Sequence, residues 1–295
     1  MSLRQWLLLC VPAFFWGSAF IFMEIALPTL SPLMIVAGRM GIAAIVLNAI
    51  ILLQGYRWPQ RKRVWLECAA LSVVNNLLPF GFVVWGQQYI NASLASILIA
   101  SAPVFTVVIA SVVGKERLTL MRAVGVMVSF SGVVVLIGPQ VLQGLDLQGI
   151  GEIAMLCAAL CYSLAGFWGR RFQAVPAQLV STMTITMGAL IVVPLTFAFE
   201  SPLEVDWQWS AGLSVVALGV FSTAIAYIVY FKLLADVGVV NTSLVSFLVP
   251  LSALAMSLVF LKEQLSTEAI LGMSLILLGL GVLDGRLLKR FRPVP

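Results

Sequence analysis

The chain alternates between long apolar stretches and short breaks rich in Pro, Gly or polar residues, as at Pro28-Thr29-Leu30-Ser31-Pro32 and Glu200-Ser201-Pro202. A helix rises about 1.5 Å per residue and the hydrocarbon core is ~30 Å thick, so apolar runs of about 17–25 residues are spanning candidates. Ten such runs are predicted: Gln5–Leu27, Leu33–Leu53, Val64–Trp85, Ala92–Val113, Met121–Ile137, Ile150–Arg170, Gln178–Phe199, Ala211–Leu234, Thr242–Leu261 and Thr267–Leu287. The fifth is the shortest. The first is expected to be a retained helix, because its apolar stretch exceeds a signal-peptide core and no small-residue cleavage site follows it.

Composition agrees with this pattern. Of 295 residues, 61% are hydrophobic and 10% charged, against roughly 45–50% and 25% in ordinary globular domains. So few charges cannot cover a soluble protein of this size. The expected fold class is therefore an all-α integral membrane protein of ten transmembrane helices. There is no histidine, which removes the usual proton relay and metal ligand. The four cysteines, Cys10, Cys68, Cys157 and Cys161, lie in or beside apolar runs and read as small buried hydrophobes. Neither a metal nor a cofactor is expected, and the net charge of +5 has an explanation other than nucleic acid.

That explanation is topology. Under the ten-span reading Arg4, Arg57, Arg61, Lys62, Arg63, Lys115, Arg117, Arg122, Arg170, Arg171, Arg286, Lys289, Arg290 and Arg292 fall on one side. The other side receives Lys262 along with Asp146, Glu200, Glu204 and Asp206. Lys and Arg concentrate in cytoplasmic loops, so both termini are expected in the cytoplasm and the protein in the inner (plasma) membrane.

An internal repeat is also legible. At one constant offset Pro103 matches Pro250, Lys115-Glu116 matches Lys262-Glu263, Leu118 matches Leu265, and Gly125, Gly132 and Gly138 match Gly272, Gly279 and Gly285. After a three-residue gap, Asn91, Ser93, Leu94 and Ser96 match Asn241, Ser243, Leu244 and Ser246, and more weakly Ala13 and Trp16 face Ala159 and Tyr162. The unit is five spans, residues 1–144 and 145–295. An odd number of spans inverts the second copy, and inverted repeats produce two exchangeable conformations about a midplane site.

These features resemble the drug/metabolite transporter superfamily. The five-plus-five organisation, the Pro…Lys-Glu…Gly pattern closing each half, Ala13…Trp16-Gly17 and Gly38-Arg39 are similar to two EamA-type domains covering the chain, and among such proteins to YddG-type exporters of aromatic amino acids. The resemblance implies export of small metabolites by alternating access. The superfamily's small multidrug exporters carry a mid-membrane Glu in their first helix. Here that region reads Phe14-Phe15-Trp16-Gly17-Ser18, which favours facilitated export over proton-driven cation efflux.

A substrate path should appear as a polar or aromatic stripe along an otherwise lipid-compatible helix. Pro12, Trp16, Phe20 and Glu24 form one in the first span, and Ser72, Asn76 and Phe80 another in the third, by the helical spacing of side chains. Thr223, Tyr227 and Tyr230 follow in the eighth, Ser243 and Ser246 in the ninth, Ser93 and Ser96 in the fourth, Tyr162 and Trp168 in the sixth. Small and hydroxyl residues are also the ordinary glue between membrane helices, so each stripe has packing as its alternative. The candidate substrate contacts are Trp16, Phe20, Asn76, Phe80, Ser96, Tyr162, Trp168, Tyr227, Tyr230, Ser243 and Ser246. Such a site suits a zwitterionic or amphipathic metabolite, and suits polyanions badly. Glu24 and Arg39 lie at similar depth and are expected either to pair with each other or, for Arg39, to meet a substrate carboxylate. A membrane enzyme would need a nucleophile or metal constellation that the sequence lacks. A channel and an exporter of hydrophobic drugs stand as alternatives, and a monomer in the lipid bilayer is expected.

Overall fold

The computed structural model describes residues 2–112, 119–137, 146–172, 175–242 and 244–284, and the described residues contain helices without strands. Seven helices are long and apolar enough to cross a membrane: α1 (Leu3–Ala26), α2 (Pro32–Leu53), α3 (Lys62–Gly86), α4 (Ala92–Val112), α6 (Leu147–Gly169), α7 (Ala177–Phe199) and α8 (Trp209–Gly238). Three shorter apolar helices complete the order: α5 (Leu120–Ile137), α9 (Val245–Leu261) and α10 (Thr267–Asp284). Lys115-Glu116, Gly138, Ser243 and Gly285 lie outside the described residues.

Local chemistry sets the helix starts. The Ser2 hydroxyl accepts from the Gln5 N–H while the Gln5 side chain accepts from the Ser2 N–H, a reciprocal cap on α1 that satisfies two otherwise orphaned donors. Ser31 caps α2 through the Met34 N–H (3.2 Å), with Pro32 at the first helical position, where its missing N–H costs nothing. Asn91 caps α4 through the Leu94 N–H (2.9 Å). Pro103 follows the break at Ala100 in α4, whereas Pro12 and Pro250 sit inside continuous helical segments.

Two irregularities recur. Of three π-helical turns among the described residues, one occupies Val73–Leu77 in α3, one Val220–Ile225 in α8 and one Ser257–Leu261 in α9, and the first two match by repeat. The offset that aligns Pro103 with Pro250 also carries Val73 onto Val220. Both turns are deeply packed. Asn76, Ser222 and Thr223 are fully buried.

Close backbone approach joins the helices. In α5 and α10, a Cβ on Gly125 would lie 2.9 Å from the Gly279 carbonyl, and one on Gly132 would lie 2.7 Å from the Gly272 carbonyl. These pairings run the two helices antiparallel. Without a hydrophobic force between helices in lipid, such small-residue contacts are what bring backbones together. Elsewhere α1 packs on α8 and α9, α6 on α3 and α4, α2 on α7, α3 on α7, and α8 on α2. The outer surface carries Leu7, Phe14, Ile45, Leu195 and Phe197, as a lipid-facing surface requires.

Candidate functional site

The polar and aromatic stripes of α1, α2, α3, α6 and α8 meet around the two repeat-matched π-helical turns. Such turns add a residue to the helix, re-aim the side chains beside them, and occur often at functional sites. In α8 the freed Leu218 carbonyl accepts from the Thr223 hydroxyl (2.8 Å). Thr223 in turn accepts from Arg39 Nε (2.9 Å). In α3 the carboxamide oxygen of Asn76 accepts from the Tyr227 hydroxyl (3.4 Å) and from Asn75 Nδ2 (3.3 Å). Among the described residues the buried Asn76 Nδ2 has no partner.

An aromatic wall lies against these groups. The Trp16 ring is 5.1 Å from Tyr230 and 6.1 Å, edge-on, from Tyr227. Phe231 closes the cluster at 6.1 Å from Tyr227 and 5.4 Å from Tyr230. Separations of this size are those aromatic pairs prefer, worth about 0.5–1.5 kcal/mol each beyond burial. Among the described residues the hydroxyls of Tyr162 and Tyr230 make no hydrogen bond, whereas that of Tyr227 is bound to Asn76.

Arg39 is the charge of the site. It is 6% exposed, and its guanidinium carbon lies 3.8 Å above the centre of the Phe80 ring. The phenols of Tyr162 and Tyr227 lie near its charge. Gly219 allows the contact: a Cβ there would meet Ile42 Cβ at 2.7 Å and the Arg39 carbonyl at 3.1 Å, so the small residue lets α2 and α8 approach at this level. A cation–π contact contributes about 0.5–2 kcal/mol, while an unpaired buried ion costs several kcal/mol. Arginine cannot escape by losing its proton. Phe80 and Thr223 therefore do not by themselves offset its burial.

The expected Glu24–Arg39 pair does not form. Glu24 Oε2 accepts from the Ala92 N–H (2.8 Å) at the start of α4, beside the carboxyl of Glu263. Glu263 itself accepts from the Ser93 N–H (3.3 Å) and from the Ser93 hydroxyl. The described ion pair is Arg63–Glu67 at 2.8 Å, on α3 away from this site. Equal depth on two neighbouring helices did not mean a shared face.

Other predicted residues are distributed as follows. Phe20 is buried in the main core and its carbonyl accepts from Gln87 Nε2 (2.9 Å). The Ser96 hydroxyl donates to the Ser93 carbonyl (2.8 Å), one turn back in its own helix. Ser246 is half-buried on α9, and Ser243 lies outside the described residues. Trp168 belongs to a separate cluster with Cys68, Leu71, Phe172 and Leu179, and its buried indole N–H has no partner among the described residues. Thr223 and Glu263, absent from the predicted set, are structurally central. The signals that point to them were present: Thr223 continues the Tyr227–Tyr230 stripe, and Glu263 belongs to the repeated Lys-Glu. No group of three metal-ligating side chains occurs among the described residues.

Comparison with known proteins places this arrangement among transporters. The model of the EamA-like transporter family matches residues 4–138 and again 149–283. An uncharacterized transporter named YoaV from Bacillus subtilis (strain 168) is 24% identical over 266 residues, covering 90% of this chain and 91% of its own. An uncharacterized transporter of Archaeoglobus fulgidus is 27% identical over 287 residues, covering 94% of this chain and 98% of its own. A solved crystal structure of a protein superposes with TM-score 0.70 at 21% identity, covering 97% of this chain and 99% of that one, a likeness of fold.

Proposed function

Because the chain belongs to the EamA-like transporter family, we propose that it is an inner-membrane exporter of small metabolites, amino acids including aromatic ones, working by alternating access. Its two halves, residues 1–144 and 145–295, are inverted five-helix repeats, giving ten spans with both termini in the cytoplasm and the basic loops inside. The observation that carries the reading is that one cluster of buried and half-buried side chains draws on both halves. Trp16, Arg39, Asn76 and Phe80 come from the first, and Tyr162, Thr223, Tyr227 and Tyr230 from the second.

Inversion is supported by the glycine contacts. The repeat offset carries Gly125 onto Gly272 and Gly132 onto Gly279. The contacts observed are Gly125 with Gly279 and Gly132 with Gly272. Exchanging the halves turns each contact into the other, as a two-fold axis between α5 and α10 requires. Because these helices run antiparallel, that axis lies across them, in the membrane plane, which is the symmetry of inverted-topology transporters. The matched π-helical turns and the reciprocal packing of α1 on α9 and α6 on α4 support the same axis.

Purified monomeric protein in proteoliposomes should accelerate counterflow of amino acids, with saturation, and Phe or Tyr should compete. Absence of stimulated flux for every amino acid tested overturns the substrate assignment. Flux without saturation or counterflow would indicate a channel, and flux of apolar drugs alone an exporter of that kind.

A further inference from the structure

Around the aromatic wall, Arg39 and Asn76 hold nitrogen donors that no described residue accepts from. Neither terminal nitrogen of Arg39 donates to a described residue; only its Nε is used, on Thr223. Among the described residues Asn76 Nδ2 is buried without an acceptor, and the Tyr227 hydroxyl is bonded to that same side chain. Several acceptors nearby are engaged. Asn76 Oδ1 receives two hydrogen bonds, Thr223 Oγ1 is held by Arg39 and Leu218, and one oxygen each of Glu24 and Glu263 accepts from Ala92 and Ser93.

A carboxylate is acceptor-only and an ammonium donor-only. The first therefore finds a fork of free N–H groups carrying a permanent charge, a geometry that binds carboxylates bidentately. The second finds the ring faces of Trp16, Tyr227 and Tyr230. We propose that the cargo is recognised as an organic monoanion whose carboxylate seats on Arg39 and whose apolar or aromatic body lies against Trp16, Tyr227 and Tyr230. The α-ammonium of an amino acid is then dispensable: arylalkanoic and 2-oxo acids bind at least as tightly as the matching amino acids. This rests on the transport reading above and narrows its substrate class. The second half carries Thr186 where the offset would place a counterpart of Arg39, so the site holds one such charge and takes one carboxylate.

The test uses the purified full chain in lipid nanodiscs and a series sharing one phenyl ring: 3-phenylpropionate, phenylpyruvate, phenylalanine, 3-phenylpropionamide and phenethylamine. Calorimetry or competition binding gives the affinities. The expected order places both acids at or above phenylalanine, with phenethylamine at least about tenfold weaker, roughly one hydrogen-bonded charge contact. Arg39→Gln should lose at least about tenfold for the acids and leave the amide's affinity unchanged. Arg39→Lys, a point charge without the fork, should recover part of the acid binding, and it serves as the test if Arg39→Gln fails to fold.

Phenylalanine binding tenfold more tightly than 3-phenylpropionate, or either Arg39 variant binding acids as the parent does, overturns the proposal. So does failure of every member of the series to bind. Parallel flux assays separate the two readings. Transport of amino acids or amines with the acids excluded defeats the monoanion assignment alone. No flux of any solute class defeats the transporter site itself.

Discussion

A methyl group at Gly279 has no room. A Cβ there would lie 2.5 Å from the Ser129 nitrogen, 2.6 Å from the Gly125 carbonyl, and against the Ser129 hydroxyl. Two of these obstacles are backbone and cannot rotate away, so the helices α5 and α10 must separate. Overpacking of this kind costs about 1–3 kcal/mol, and backbone obstruction puts Gly279→Ala at the upper end. Separation also loosens the bond from the Ser129 hydroxyl to the Ile276 carbonyl (3.2 Å), worth about 1 kcal/mol. Against this, alanine is favoured over glycine in a helix by about 1 kcal/mol. The net expectation is a loss of about 2–3 kcal/mol.

Gly81 and Gly166 provide the controls, since a Cβ at either meets nothing within 4 Å. Gly81→Ala and Gly166→Ala should be neutral or slightly stabilising through helix propensity alone. Unfolding in mixed detergent micelles, followed by tryptophan fluorescence, reads all three on one scale. Gly132→Ala should resemble Gly279→Ala, because repeat symmetry gives it the same kind of obstacle, the Gly272 carbonyl at 2.7 Å. If Gly279→Ala and Gly81→Ala unfold within about 0.5 kcal/mol of each other, close backbone packing is not what joins α5 to α10, and the symmetry argument built on it falls.

Trp16→Ala and Tyr162→Ala should each lower amino-acid flux severalfold while the protein stays folded by gel filtration, and unchanged flux would place the rings outside the path. Glu263→Ala removes the acceptor for both Ser93 groups and should lower unfolding stability by about 1–3 kcal/mol; Glu263→Gln keeps a carbonyl oxygen there and should retain most of it, so equal losses would mean that the contact contributes nothing. In a cysteine-free background, Arg61→Cys should resist a membrane-impermeant maleimide in intact cells while Glu204→Cys reacts, and the reverse pattern would invert the topology.

Helix positions were legible because a bilayer forces long apolar runs, although seven of the ten expected spans are long and apolar enough to cross and the other three are shorter apolar helices. The second was expected at Leu33–Leu53 and runs Pro32–Leu53; the fifth, expected at Met121–Ile137, runs Leu120–Ile137. The aromatic stripe was legible for a similar reason. Trp16 lies on one helix face by spacing alone, and Tyr227 and Tyr230 on another. What spacing does not carry is the direction in which a helix turns its face. Arg39 and Glu24 share a depth, but Gly219 and Gly38 draw α2 onto α8, turning Arg39 toward Thr223, while Glu24 faces the start of α4. Trp168 was grouped with Tyr162 because both lie on α6, yet it sits nearer the end of the helix, in the cluster around Cys68. The π-helical turns have no residue signature at all. They became visible once coordinates showed them at repeat-matched positions.

Those two turns show how a repeat can be symmetric in backbone and asymmetric in chemistry. The offset carries Asn76 onto Thr223 and Phe80 onto Tyr227. In one direction the tyrosine hydroxyl reaches the asparagine. In the other, phenylalanine has no hydroxyl to offer threonine, and Arg39 occupies that place, bonded to Thr223 and lying on Phe80. The backbone defect is shared by both halves, while the side chains at it diverge. A charge present on one half only, and bonded across to the other, makes the contact between halves depend on what occupies it. An anion seated on Arg39 beside Tyr227 would bridge the two repeats, and rocking them apart would have to stretch or release that bridge. Substrate recognition and the movement of the halves are in that case governed by the same few hydrogen bonds.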